Sequence, residues 1–302
     1  MVEEFLLVGG KTMTQKPLIG HLAAAVTVFI WGTTFIATKV LLRHFGPVEI
    51  LLTRFVIGYV ALLIMRPGRV HLAHPRQEWW FVGAGASGIT LYYLLENLAL
   101  AHTTASNVGI IVTISPFLTA LLAQLWLHAP KPSRWFYFGF VLAISGVILI
   151  SYRGGATMHG NLMGDVLAVL AACAWAVYSI LTTKIGELSL NLIQSTRHVF
   201  FYGIVLMLPI MAGFGFHIDY QQLVQPQTLA NFLYLGIGAC AVCFVTWNLA
   251  VKRLGTVRSS VYIYVVPVIT LVFSVWLLHE PMTPLIFSGA VLTLLGLWLS
   301  SR

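Results

Sequence analysis

The sequence predicts an all-α integral membrane protein of ten transmembrane helices, arranged as two five-helix repeats of inverted topology. Three observations carry this. Of the 302 residues, 59% are hydrophobic and only 9% charged, with a mean hydropathy of +0.89, whereas about a quarter of a soluble domain is charged. The apolar residues fall into ten stretches, each near the roughly 20 residues a helix needs to cross a bilayer. The two halves of the chain repeat one another, and each repeat holds an odd number of stretches.

The first five stretches run Leu18 to Leu42, Val48 to Met65, Trp79 to Ala101, Thr104 to Leu127 and Trp135 to Ser151. The second five run Leu162 to Ile185, Leu192 to Met211, Leu229 to Val251, Ser259 to Leu278 and Leu285 to Ser301. Backbone in lipid must satisfy its own hydrogen bonds, which single spans of this length do only as helices. The preceding tail, residues 1–17, lacks the apolar core and cleavage site of a secretory signal. Met13 reads as an alternative start, which would make the first twelve residues an upstream extension or a disordered tail.

In the first stretch Thr27, Trp31, Thr34 and Thr38 are spaced by four, three and four, so they share one helix face. The second carries Arg54. The third opens on Gly83, Gly85 and Gly88, a literal G-x-G-x-x-G that inside a span reads as close helix packing and not as a dinucleotide fingerprint. Further along, Tyr92 precedes Glu96 and Tyr93 precedes Asn97, each by one turn. A charge within a span costs at least about 2.5 kcal/mol, so Glu96 either faces protein or lies near enough to the surface to be hydrated. The fourth stretch holds Asn107, Thr113 and Pro116, whose ring frees the Val112 carbonyl and predicts a kink. The fifth carries Gly139 and Gly146. The sixth repeats the face of the first as Trp175, Tyr178 and Thr182, and the seventh carries Arg197 and His198. The eighth repeats the small-residue pattern as Gly236, Gly238 and Ala241 and ends near Asn248; the ninth holds Tyr262, Tyr264 and a second kinking proline, Pro267. Cys173, Cys240 and Cys243 all lie inside stretches and read as packing residues, with no disulfide framework and no metal or cofactor motif.

The repeat is registered. Asn97, Leu98 and Ala99 recur as Asn248, Leu249 and Ala250, and at the same offset of 151 (97 to 248) Pro116 matches Pro267, Thr119 matches Thr270, His128 matches His279 and Pro130 matches Pro281. Gly139 and Gly146 match Gly289 and Gly296 at 150; Gly20 and Trp31 match Gly164 and Trp175 at 144; Thr53 and Arg54 match Thr196 and Arg197 at 143. The shift is absorbed by the loop after the second helix. Five helices per unit oblige the second unit, from 154 to 302, to enter the membrane from the side opposite to the first, from 18 to 153. Such inverted repeats place a site at the midplane between the halves.

The formal charge of +8 sets orientation and does not indicate nucleic acid. With both termini cytoplasmic, twelve basic residues (Lys11, Lys16, Arg66, Arg69, Arg76, Lys131, Arg134, Lys184, Lys252, Arg253, Arg258 and Arg302) lie inside and three (Lys39, Arg43 and Arg153) outside. That is the bias of a multi-pass protein of the cytoplasmic membrane.

From Gly20 to Leu299 these residues resemble the drug/metabolite transporter superfamily, and within it the ten-helix EamA-type exporters. The signature is the end of each unit, Asn97 through Gly146 and Asn248 through Gly296, with the helix-four proline and the two glycines of helix five. The second unit keeps the acidic-proline pair of that family as Glu280 and Pro281, where the first has Ala129 and Pro130. The resemblance implies export of small metabolites, amino acids above all, through a central cavity formed by the first four helices of each half, with the fifth helices peripheral. In aromatic content the chain is most similar to the aromatic amino-acid exporters. The implied partners are a small-molecule substrate, the bilayer and protons as a candidate coupling ion.

The expected substrate-contacting set is Trp31, Thr34, Thr38, Tyr92, Tyr93, Glu96, Asn97, Asn107, Trp175, Tyr178, Thr182, Asn248, Tyr262 and Tyr264, the alternative for the two stripes being interhelical packing. Pro116 and Pro267 are expected hinges or packing kinks. Arg54, Glu96 and Arg197 are gate or charge-pair candidates. Arg54 lies six residues, about 9 Å, inside the start of its span and Glu96 five residues from the end of the next, so the two either pair, share a zwitterionic substrate, or snorkel separately. Two alternatives to an amino-acid exporter stand beside this. A nucleotide-sugar or organic-phosphate exchanger wants clustered Lys or Arg at midplane, where only Arg54 and Arg197 are offered. An intramembrane serine protease would need Ser87, in Gly85-Ala86-Ser87-Gly88, to meet His198.

Overall fold

The computed structural model describes residues 15–127, 133–151, 159–217, 219–255, 259, 261–280 and 282–300. Lys11, Met13, His128, Ala129, Pro130, Lys131, Arg153, Arg258, Pro281 and Arg302 lie outside the described residues.

Among the described residues the long elements are ten helices and there is no strand. They are α1 (Gln15–Leu41), α2 (Pro47–Met65), α3 (78–102), α4 (Ala105–Trp126), α5 (Arg134–Ser151), α6 (His159–Glu187), α7 (Leu192–Phe214), α8 (Pro226–Leu254), α9 (Tyr262–Leu278) and α10 (Pro284–Ser300). Six of them, α1, α2, α4, α6, α7 and α8, are long and apolar enough to cross a membrane. Large apolar side chains such as Phe29, Trp79, Phe138, Leu208 and Trp298 point outward, as a lipid-facing surface requires.

Equivalent helices of the two units run antiparallel, which makes the inversion explicit. At one end of α2 the Arg66 carbonyl accepts from Arg197 Nη1 at the start of α7 (2.6 Å). At the other end, Glu49 Oε1 accepts from the His217 N–H just past the end of α7 (3.1 Å). In α4 and α9, Ser106 meets Ser274 (2.6 Å) while Gly109 lies against Thr270. In α5 and α10, Gly139 lies against Gly296 and Ser300, and Gly146 against Gly289 and Thr293. The first helix of each unit packs on the third and fourth of the other: α1 on α8 and α9, α6 on α3 and α4.

Two departures from regular helix recur in both units. The α4 helix passes through a 3₁₀ turn, Val112–Ile114, just before Pro116, and a 3₁₀ turn, Val261–Val265, leads into α9 just before Pro267. This is where a missing N–H and a ring clash break the ladder. The α3 helix has a π stretch over Gly85–Leu91 and α8 one over Tyr234–Val242. The first coincides with the glycine motif and explains it: a Cβ on Gly85 would stand 2.7 Å from the Gly203 nitrogen of α7, and one on Gly88 would stand 2.1 Å from the Tyr178 ring. Those glycines are helix contacts, not a phosphate cradle.

Candidate functional site

Where α1, α3, α4, α6 and α9 converge, a small cavity of about 40 Å³ lies between the units. The α1 helix contributes Trp31, Thr34 and Phe35, and α3 contributes Tyr92, Tyr93 and Glu96. Val112 and Ser115 of α4, Trp175 of α6, and Ile263 and Val266 of α9 complete the wall. Across Trp175 lies a second, smaller space of about 20 Å³, bounded by Pro116, Thr119, Ser179, Thr182, Trp247 and Val251.

The repeat-equivalent tryptophans meet face to edge here: the Trp31 and Trp175 rings are 5.3 Å apart at 89°. Trp247 lies 5.3 Å from Trp31, and Tyr92 and Tyr178 lie 4.9 and 5.0 Å from Trp175. The Trp31 indole N–H donates to the Ala239 carbonyl (3.2 Å), which belongs to the π stretch of α8, where the i→i+5 pattern displaces carbonyls from their usual partners. Thr34 and Thr182 donate to carbonyls of their own helices. Thr38 is fully buried and its hydroxyl has no hydrogen-bond partner.

Glu96 is 2% exposed, lines the first cavity, and its Oε1 has no hydrogen-bond partner. Its polar neighbours are Arg54 and Tyr92. Arg54 is completely buried, yet it forms no ion pair with Glu96: the ion pairs among the described residues are Lys184 with Glu187 and His198 with Glu78. Arg54 turns instead toward α8, where Nε donates to Cys240 Sγ (3.3 Å), and its guanidinium lies 4.5 Å from the Tyr93 ring centre. Both Nη atoms lack a hydrogen-bond partner, and the ring face offsets part of that cost. Matching depth on adjacent helices brings the two within electrostatic reach, but the guanidinium makes its close contacts with Cys240 and the Tyr93 ring and forms no ion pair with Glu96.

Several predicted residues stand elsewhere. Asn97 donates to the Pro47 carbonyl (2.9 Å) and Asn248 to Thr196 Oγ1 (3.1 Å), so each fastens the third helix of its unit to the second. Asn107 belongs to the start of α4, with its N–H on Thr104 Oγ1 and its amide on Thr103 Oγ1. The Tyr262 hydroxyl bonds His21 (2.6 Å), and Tyr264 packs on Phe117 and Phe136. Arg197 is not in the cavity: it donates to the carbonyls of Arg66 and Gly68 and holds the α2–α3 connection. Ser87 donates to the Gly83 carbonyl while His198 bonds Glu78, and no hydrogen bond joins the two.

Sequence reasoning missed the apolar lining residues Phe35, Val112, Ile263 and Val266. Phe35 was legible, since it continues the 27, 31, 34, 38 face; the others sit beside the prolines and become lining through the 3₁₀ turns. Glu280 also acquires a place: its carboxylate accepts from the Ala105 N–H (2.8 Å), the Ser106 N–H (3.2 Å) and the Ser106 hydroxyl (2.6 Å), tying the end of α9 to the start of α4. Nearby, Lys39 Nζ donates to the Leu100 and Thr103 carbonyls at the end of α3.

This arrangement has known counterparts. The model of the EamA-like transporter family matches the chain twice, over residues 18–152 and 162–302. A protein of Archaeoglobus fulgidus described as an uncharacterized transporter is 30% identical over 287 residues, 93% of this chain and 96% of its own. A probable terminal-alkyne amino-acid exporter of Streptantibioticus cattleyicolor is 30% identical over 285 residues, 93% and 92% of the two chains. A solved crystal structure, 18% identical, superposes on 95% of this chain and 96% of its own with a TM-score of 0.67, a likeness of fold. Two inverted five-helix units, each matched by the family model and enclosing a cavity between them, make this chain a multi-pass membrane transporter of the EamA-like family, in the drug/metabolite transporter superfamily.

Proposed function

We propose that the protein is a secondary transporter that exports amino acids, aromatic ones favoured, or similar small metabolites across the cytoplasmic membrane by alternating access. Both termini are cytoplasmic in this reading, so Lys39 and Glu280 mark the outer end and Arg66 the inner. The observation that carries it is the buried Glu96 carboxylate, with Oε1 free of any hydrogen-bond partner, in an aromatic-walled cavity between two inverted units, suited to an apolar side chain and an amino group together. The amino-acid exporter among the relatives supports the substrate class. No Lys or Arg lines either inner space, which disfavours phosphate-bearing substrates. Uptake of labelled phenylalanine into proteoliposomes, with competition by the other amino acids and with and without a pH gradient, tests the proposal. Transport of no amino acid would end it.

A further inference from the structure

The wall of the first cavity carries a single charge. Glu96 is the one acid in its wall, and no Lys, Arg or His lines it. Five of the remaining lining residues, Trp31, Phe35, Tyr92, Tyr93 and Trp175, are aromatic, and ring faces attract cations. Arg54, the nearest buried guanidinium, does not line the cavity and is held against Cys240 and the Tyr93 ring. A zwitterionic amino acid entering here meets Glu96 at the wall for its ammonium group, whereas the nearby cation, Arg54, lies against the Tyr93 ring outside the lining and is within electrostatic reach of Glu96, so the carboxylate finds no cation on the wall.

We propose that this cavity recognises its ligand through the ammonium group alone, so that aromatic amines lacking a carboxylate bind at least as well as the corresponding amino acids. The proposal rests on reading this cavity as the transport site. Its sign is specific: with Glu96 and the aromatic faces supplying the polar recognition, removing a ligand's carboxylate removes a desolvation cost, and acylating its amine removes the attraction.

The test is equilibrium binding to the full chain in lipid nanodiscs, read by titration calorimetry, with phenethylamine, phenylalanine and N-acetylphenylalanine as probes. Phenethylamine is expected to bind as tightly as phenylalanine or more tightly, and N-acetylphenylalanine at least about tenfold more weakly, the scale of one charge-assisted contact. Glu96→Gln should weaken phenethylamine by a similar factor. The wild-type series decides the matter even if that variant does not fold. Phenethylamine that fails to bind, or binds tenfold more weakly than phenylalanine, overturns the proposal, as does N-acetylphenylalanine binding like the amino acid. Glu96-dependent amine binding in a protein that moves no amino acid would refute the proposed export and leave this inference standing.

Discussion

Replacing Glu280 with alanine removes three hydrogen bonds at once, two from backbone N–H groups that begin α4 and one from the Ser106 hydroxyl. They tie α9 of one unit to α4 of the other at the end of the bundle that also carries Lys39. The repeat supplies no equivalent at the opposite end: Glu280, Ser274 and Lys39 correspond to Ala129, Ala123 and Thr183. A carboxylate accepting charge-assisted bonds at a helix start is worth about 1.5–3 kcal/mol, and Glu280 is only half-buried, so about 2 kcal/mol is a fair value. If the tie is made only while that end is closed, its loss shifts the equilibrium toward the open state roughly 30-fold. The assay uses Ser115→Cys, a buried position in the cavity wall, in right-side-out vesicles, with the chain lacking that cysteine as background. Modification by a membrane-impermeant maleimide should accelerate by a comparable factor in the Glu280→Ala variant. An unchanged rate in a folded variant would refute the assignment of Glu280 as a conformational tie.

Trp31→Ala and Trp175→Ala should each lower uptake while the purified proteins remain monodisperse; wild-type transport by both would make the tryptophan stripe packing alone. Pro116→Ala and Pro267→Ala should alter the rate of exchange more than substrate affinity, because they change the 3₁₀ breaks and Pro267 touches neither space. Weaker binding at an unaltered rate would contradict this. The double exchange Arg54→Glu with Glu96→Arg should not restore export lost in the single variants, since the two side chains do not pair; recovery would show that they meet elsewhere in the cycle. Gly88→Ala places a methyl group where the Tyr178 ring packs and should cost about 1–3 kcal/mol, measured as a lowered thermal midpoint, with no loss indicating that the α3–α6 contact is loose.

The number of spans, the repeat and its inversion are properties of the sequence by itself. Apolar run length reports lipid thickness directly, and an odd helix count per unit leaves no other geometry. The equivalence of Trp31 and Trp175 was readable for the same reason, because a pseudo-two-fold axis brings equivalent faces together. What the tertiary structure decided is the partner each polar group found. Residue counting placed Arg54 and Glu96 at equal depth, but depth says nothing of the direction in which a side chain leaves its helix, and Arg54 turned to Cys240 and Tyr93. Asn97 and Asn248 sit at repeat-equivalent positions like the tryptophans, yet they point to the second helix of their own unit. The π stretches in α3 and α8 and the 3₁₀ turns beside the prolines widen or tighten the turn. Faces assigned from a 3.6-residue period are rotated beyond them, so which residues of α4 and α9 line the cavity emerges only once the helices are packed.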